Sequence, residues 1–350
     1  FMRFTKTGPN IPDELLQSQK NGKLLFLCGA GVSVPAGLPT FLELTKSVAN
    51  KLFACDDESN EISLLIKDKQ CDRAFSALKR IYGDEIVDQI LLEELKVRKN
   101  IDLTNHKNLL KLSVNEQKKP FIITTNFDLL FEKADKNITS FIPPYLPDFR
   151  SIEPLSGLVY LHGKWVKPVS GESVNLIVSS QDFGKAYLSH GWATKFVSDL
   201  VKNRIVVLVG YSGDDTLVRY LLEGLKAENE DTTNRIYALE SEKNKGNIES
   251  KWSQLGAVGI PYFEHKDLWD TLAEWAKYAG SEDTVWDEYI SKLASRSPKD
   301  LEAFERGQVT AYISSIEGAM KFQQFDPLPN SEWLYVFDKN IRLGKVEEIK

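Results

Sequence analysis

Cysteine is scarce in this chain: 350 residues hold only Cys28, Cys55 and Cys71. Three thiols so widely spaced build neither a disulfide framework nor a four-cysteine zinc module, so no metal is expected and a reducing cytoplasm fits best. There is no run of about 18 apolar residues, so no transmembrane helix is expected. The amino-terminus lacks the apolar stretch of a secretory signal. An excess of basic residues is also missing. Lys+Arg 44 against Asp+Glu 50 gives a formal net charge of −6, which argues against duplex nucleic acid or an anionic membrane as the main partner. No fixed-period repeat and no low-complexity tract occurs.

What is present is the composition of a globular protein, with 42% hydrophobic and 27% charged residues, in a chain long enough to bury a core without disulfide or metal staples. Met2 reads as a natural start preceded by an added Phe1. The closing segment IRLGKVEEIK reads as a helix interrupted in mid-pattern, so the chain is expected to be part of a longer protein.

Short apolar runs alternate with helical spacing. LLFLCGAG (24–31), FIITTNFD (121–128), GLVYLHGK (157–164), RIVVLVGYS (204–212) and RIYALE (235–240) read as buried strands, the first four running into glycine or polar ends, with LIVSS (176–180) and AVGIPYF (257–263) as further short ones. Helices are expected over 12–22, 41–54, 127–135, 181–202, 214–228 and 247–255, and throughout the Trp-rich stretch from 267. Residues 56–118 are charge-rich, with apolar positions at helical intervals, and read as a helical insertion. The expected fold class is α/β: a Rossmann-like, mostly parallel sheet with helices on both faces, plus a helical small subdomain and C-terminal helices. The expected division is a nucleotide-binding domain over 12–265, with the insertion at about 56–118, followed by a helical extension over 266–350.

In such sheets ligands bind beyond the carboxyl ends of the strands, and the unusual polar residues cluster there. Gly29-Ala30-Gly31-Val32-Ser33, with Gly37, Pro39 and Phe41 downstream, follows the first strand. Glycines at this position let a backbone approach a pyrophosphate, and they also serve tight turns for steric reasons alone. Val34 occupies the last slot of a GxGxxG pattern, which disfavours an ordinary dinucleotide dehydrogenase. No Lys-Ser/Thr pair follows the glycines, which excludes a Walker-type loop. Thr124-Thr125-Asn126-Phe127-Asp128 ends the second strand. Asn126 offers a donor and an acceptor to ribose hydroxyls or a water, while Asp128 either orients it or caps the next helix. His162-Gly163 ends the third strand; it is one of four histidines, with His106, His190 and His265. A neutral imidazole there can accept a proton from a hydroxyl, although a lone histidine is more often a satisfied polar residue. Gly210-Tyr211-Ser212, with Asp215 and Arg219 one helical turn apart, ends the fourth.

Taken in this order, the four segments resemble the sirtuin (Sir2) superfamily, whose GAGxSxxxGxPxF turn, TxNxD strand end, HG and late glycine-serine turn all have counterparts between residues 29 and 219. With the flanking strands, the resemblance covers about residues 12–265. The chain departs from deacetylases at Thr40-Phe41-Leu42, where they carry Asp-Phe-Arg, and in having no zinc module. The GYSxxDxxxR turn and the N-terminal segment are more similar to bacterial defence-associated sirtuins of the DUF4020 type.

The resemblance implies NAD+ as substrate. Gly29, Ala30, Gly31 and Ser33 would hold the pyrophosphate, with Pro39, Phe41, Thr125, Tyr211 and Asp215 also in the binding set. Gly210 and Ser212 would hold the adenosine half, and Glu240 would accept a ribose hydroxyl. Asn126, Asp128 and His162 would be catalytic, acting at the nicotinamide ribose. The implied activity is an NAD+ glycohydrolase releasing nicotinamide and ADP-ribose, an anti-phage effector of abortive infection that depletes NAD+. It would be controlled by homo-oligomerisation and by a phage-protein trigger sensed through a C-terminal region. An NAD-dependent protein deacylase, a non-catalytic NAD or ADP-ribose sensor, and a scaffold with purely steric glycine turns remain as alternatives.

Overall fold

The computed structural model describes residues 1–55, 59–97, 101–149, 153–166, 176–213, 215–228, 235–243, 247–279 and 283–337. The expected interrupted helix at the end of the chain falls outside these residues from 338 onward. The chain divides into two compact units, Ser18–Pro261, and Phe1–Gln17 with Tyr262–Lys350.

The larger unit is organised by a seven-stranded sheet, with strands β1 (Leu24–Cys28), β2 (Phe121–Thr124), β3 (Ser140–Phe141), β4 (Gly157–Tyr160), β5 (Ile205–Val209), β6 (Ile236–Ser241) and β7 (Val258–Tyr262) in the order β3-β4-β2-β1-β5-β6-β7. Pairing is parallel from β3 through β6. The five longer strands from β1 to β6 are buried at every position, as expected of strands covered on both faces. On one face Leu25, Leu27, Ile123, Val159, Val206 and Leu208 join a core with residues of helices α8 (Ser180–Phe183), α9 (Trp192–Asn203), α10 (Thr216–Glu228) and α11 (Ile248–Leu255). Helix α6 (Thr104–Leu112) lies against β1 and α7 (Leu130–Ala134). Beyond its C-terminus, Ser113 Oγ accepts from Phe26 N–H at 3.0 Å. The fold is the α/β class expected from the alternating pattern.

Helices α2 (Phe41–Lys51), α3 (Glu61–Lys67), α4 (Cys71–Tyr82) and α5 (Asp84–Glu94) form a second core around Leu44, Val48, Phe75, Leu78, Val87 and Leu91. Of the stretch 56–118 expected as a helical insertion, α3 to α5 enter this core together with the preceding α2, whereas α6 packs against β1; residues 56–58 and 98–100 lie outside the described ones. Residues 176–180, expected as a short strand, form none: Leu176–Val178 run irregularly, and Ser179 and Asp182 close a capping box that starts α8. An apolar run this short does not distinguish a strand from a buried approach to a helix. Leu176 and Val178 are buried in the helical core instead.

In the smaller unit Met2 and Ile11 form an antiparallel bridge, and Phe4 stacks on Trp275 at 5.7 Å. Helices α12 (His265–Ala279), α13 (Asp283–Ala294), α14 (Ala303–Ile313), α15 (Ile316–Phe322) and α16 (Trp333–Phe337) follow. Ile290, Leu293, Val309, Phe322 and Trp333 form the core of this unit. No helix among the described residues is long and apolar enough to cross a membrane.

The order of the strands positions the site. From β1 the chain proceeds to β2 on one side, and from β5 to β6 on the other. The connections after β1 and β5 therefore run to opposite sides, and it is at such a reversal of strand order that ligands bind in sheets of this kind.

Burial also sets an acid limit on stability. Both ring nitrogens of His106 are buried without a hydrogen-bond partner, and the ring packs edge-on against Phe131 at 4.8 Å. Desolvation lowers its pKa to about 4, so the unfolded chain binds the proton more readily. The stabilisation is complete above the unfolded value and is lost as pH falls from about 6.5 toward about 4. We predict that His106→Leu removes roughly 2 kcal/mol of the stability that the parent chain loses between about pH 7 and about pH 4.5, read as the change in urea midpoint. Identical pH slopes in the two proteins would contradict this account.

Candidate functional site

The site starts where two turns cross. Gly29 N–H donates to Val209 O at 2.9 Å, and Gly31 N–H donates to Gly210 O at 3.0 Å. The glycines are required by this crossing. A Cβ at Gly31 would stand 2.8 Å from Gly210 Cα, and one at Gly210 would stand 2.7 Å from Val32 N. Gly210 also has φ +78°, which disfavours any side chain. A Cβ at Gly29 would meet the Tyr211 ring at 2.6 Å. Tyr211 is accordingly a buried wedge, and its hydroxyl lies 2.7 Å from Thr125 Oγ1.

The turn after β1 is not followed at once by an α-helix. Two short 3-10 turns, Ala30–Val32 and Val34–Ala36, intervene. Helix α2 starts at Phe41, behind a capping box in which Glu43 Oε2 accepts from Thr40 N–H and Thr40 Oγ1. Those bonds hold the Glu43 carboxyl below its ordinary value, so this helix N-terminus already carries an anion. The arrangement differs from a Rossmann turn, where the phosphate itself takes that place. Phe41 stacks on Phe75 at 5.6 Å in the helical core, and Pro39 is half-buried beside the turn.

Behind the crossing lies a polar network. Asn126 Nδ2 donates to Gly29 O at 3.0 Å and to Ser33 Oγ at 3.2 Å. Ser33 Oγ donates to Asp128 Oδ2 at 2.7 Å, and Leu130 N–H donates to Asp128 Oδ1 at 3.0 Å. Asp128 thus caps the approach to α7 and holds the serine that meets Asn126. Burial raises its pKa, against the opposing donation from Leu130 N–H and Ser33. The same burial, with the nearby Asp128 charge, pushes the Cys28 thiol up.

His162 sits two residues beyond Tyr160, which pairs in register with Thr124. Asn126 and His162 therefore occupy matching positions past the ends of neighbouring strands. Their bonds differ. His162 Nε2 lies 2.6 Å from Tyr187 Oη, and among the described residues the imidazole has no direct bond to the Asn126 network. His162 is 3% exposed, and burial lowers its pKa to about 3, so the ring is neutral at neutral pH.

A second cluster fixes the turn after β5. Glu240 is buried, and its Oε1 accepts from Ser212 Oγ at 3.1 Å and Lys251 Nζ at 3.2 Å. Its Oε2 accepts from Gly213 N–H at 3.1 Å and Trp252 Nε1 at 2.7 Å. Asp215 Oδ2 accepts from Ser212 N–H at 3.0 Å, while Arg219 is exposed. Both carboxylates hold the turn in shape.

The structure therefore brings together Gly29, Gly31, Ser33, Thr125, Asn126, Asp128, Gly210 and Tyr211. It sets Ser212, Asp215 and Glu240 in the adjoining cluster, and Phe41 with the helical core. Sequence reasoning missed Tyr187, Lys251 and Trp252. Lys251 and Trp252 lie in an ordinary amphipathic helix with no polar strand end to mark them. We predict that Gly210→Ala lowers unfolding stability by roughly 2–4 kcal/mol, from the left-handed backbone and the clash with Val32 N together. A denaturant midpoint within about 0.5 kcal/mol of the parent would show that the crossing is not tight.

The family model described as SIR2-like domain matches residues 120–260. An uncharacterized protein y4cA of Sinorhizobium fredii is 30% identical over 312 residues, 84% of this chain and 26% of that protein. Defense-associated sirtuin 2 of Bacillus subtilis is 23% identical over 261 residues, 73% of this chain and 23% of that protein. The chain thus spans about a quarter of the length of these relatives. A solved Sir2 homologue–NAD complex aligns with a TM-score of 0.44 at 15% identity, covering 79% of this chain and 98% of that one. A structure described under the mechanism and regulation of Sir2 enzymes aligns at 0.41 and 13% identity, covering 78% and 100%. The matched segment carries the TTNFD, HG and GYS strand ends around which the site is built, and residues 120–260 form a SIR2-like domain.

Proposed function

We propose that this chain is the catalytic part of an NAD+ glycohydrolase, cleaving the nicotinamide–ribose bond with water to give nicotinamide and ADP-ribose. The observation that carries the reading is the amide–hydroxyl–carboxylate network of Asn126, Ser33 and Asp128, set directly behind the crossed turns at the divergence of β1 and β5.

Nicotinamide leaves a cationic precursor as a neutral molecule, so no strong acid is required. The demand on the protein is to stabilise an oxocarbenium-like ribose and to control water, which fixed dipoles in a dry site do best. Ala30, half-buried in the turn, and Gly31 face the pyrophosphate in this reading; Gly210 and Ser212 face the adenosine half. Pro39 and Phe41 border the binding set, and Thr125 and Tyr211 support it. Asp215 and Glu240 hold the second turn rather than reach for a ribose, since protein donors already occupy their carboxylates. Asn126 orients the nicotinamide ribose or the attacking water, with Asp128 acting through Ser33. His162, neutral and of low basicity, polarises a ribose hydroxyl more readily than it removes its proton.

The division into a nucleotide-binding part over 12–265 and a helical extension from 266 belongs to the same proposal. So do cytoplasmic action, homo-oligomerisation, and activation by a phage protein through further chain, with NAD+ depletion as the defence.

The test uses full-length protein containing this chain, with NAD+ as substrate. Nicotinamide and ADP-ribose are expected in equal amounts, and Asn126→Ala and His162→Ala should each reduce release by at least about 100-fold. A neutral His162 already free of its proton predicts no acid limb near about pH 6.5, because protonation awaits the lower folded value. Transfer of an acyl group from an acyl-lysine peptide to ADP-ribose would replace hydrolysis with deacylation. Tight binding without turnover in any assembly state would leave a sensor.

A further inference from the structure

The segment carrying Tyr187 departs from regular helix. After α8, residues Gly184–Ser189 form a π-helical turn before α9 begins at Trp192. Such turns are uncommon and cost helical hydrogen-bond geometry, and they often occur where a side chain must be redirected. Here the redirected side chain is Tyr187. Its hydroxyl lies 2.6 Å from His162 Nε2, the two rings stand at 89°, and Phe183 stacks on Tyr187 with centroids 6.1 Å apart. Thr194 Oγ1 ties down the Tyr187 carbonyl at 3.0 Å.

The direction of the bond follows from an inventory. Tyr187 is 4% exposed, and a buried hydroxyl that does not donate is costly. Among the described residues the one hydrogen-bond partner of that hydroxyl is His162 Nε2. Burial keeps the phenol protonated and the imidazole neutral. Tyr187 therefore donates, Nε2 accepts, and the imidazole proton resides on Nδ1.

We infer that Tyr187 is the positioning residue of the site: its hydroxyl fixes the tautomer and the ring orientation of His162, so that the Nδ1–H edge is the one available for chemistry. The inference rests on the NAD+-cleaving reading for its catalytic consequence, but the tautomer itself is independent of that reading. It also assigns a use to the π-turn, since a regular helix through 184–189 would carry residue 187 to a different azimuth.

Two measurements on Tyr187→Phe separate the two claims. The first is nitrogen NMR of the imidazoles. In the parent, His162 is expected as the Nδ1–H tautomer with an Nε2 signal shifted by hydrogen bonding. In Tyr187→Phe that shift should disappear, and the His162 titration midpoint should rise by at least about one pH unit, because a donor to the neutral form has gone. The second is NAD+ turnover by the full-length protein. The variant should lose about 10-fold to 100-fold in kcat, with KM within about threefold, and its pH profile should move with the imidazole titration. Phe183→Leu serves as the packing control: it removes a ring that packs on both Tyr187 and His162 but leaves the hydroxyl, and should preserve the Nδ1–H tautomer and the hydrogen-bonded Nε2 signal. Unchanged His162 signals and an unchanged pH profile in Tyr187→Phe overturn the inference, as would equal effects from the two variants. Altered nitrogen signals in a full-length parent that turns over no NAD+ would support Tyr187 as the positioning residue and defeat only the proposed reaction.

Discussion

The site depends on the crossing of two backbone turns at van der Waals limit. Gly31 N–H donates to Gly210 O, a Cβ on Gly31 would meet the Gly210 backbone, and a Cβ on Gly210 would meet the backbone of Val32 and Gly29. This contact joins the turns that leave β1 and β5, and only beyond it do the two connections part to opposite sides of the sheet. Everything polar nearby is hung from it. Gly29 O receives the Asn126 amide, Ser33 follows the same turn toward Asp128, and Tyr211 wedges against Gly29 with its hydroxyl against Thr125. A glycine pattern that looks like a phosphate cradle is thus first a steric requirement of two chains passing closely.

The surrounding electrostatics follow from burial. Glu240 is removed from water with both its oxygens satisfied, among the described residues by Ser212, Gly213 and, from α11, Lys251 and Trp252. Removing a partner from such a cluster leaves a charge without compensation. His162 takes the other course available to a buried titratable group and gives up its charge. Asp128 is intermediate, with burial pushing its pKa up while Ser33 and Leu130 N–H favour the ionised form. Three ionisable residues at one sheet edge therefore face one desolvation penalty under three different hydrogen-bond inventories.

Much of this was legible in the sequence. The β-strands from 24, 121, 157, 205 and 236 are continuous apolar runs, because a parallel sheet covered on both faces needs no alternation. The polar residues after those runs stand out for the same reason. The run at 176–180 was misread, since capping by Ser179 and Asp182 draws it into a helix start. Tyr187 was missed because a π-turn has no distinctive periodicity, and its meaning depends on a histidine 25 residues earlier in the chain. Glu240 was legible as a polar residue at a strand end. Its engagement by Lys251 and Trp252 was not, because those donors come from the next helix.

By itself the amino-acid order determined the layer architecture, the helical insertion and the positions at which backbone had to be left bare. These depend on local propensities and on the periodicity of burial, which are written along the chain. Only the folded arrangement decided which polar groups are partners. Gly31 meets Gly210, Ser33 meets Asp128, and His162 meets Tyr187 rather than Asn126. Hydrogen bonds are short and directional, so pairings between residues far apart in sequence are fixed by where strand ends and turns arrive in space.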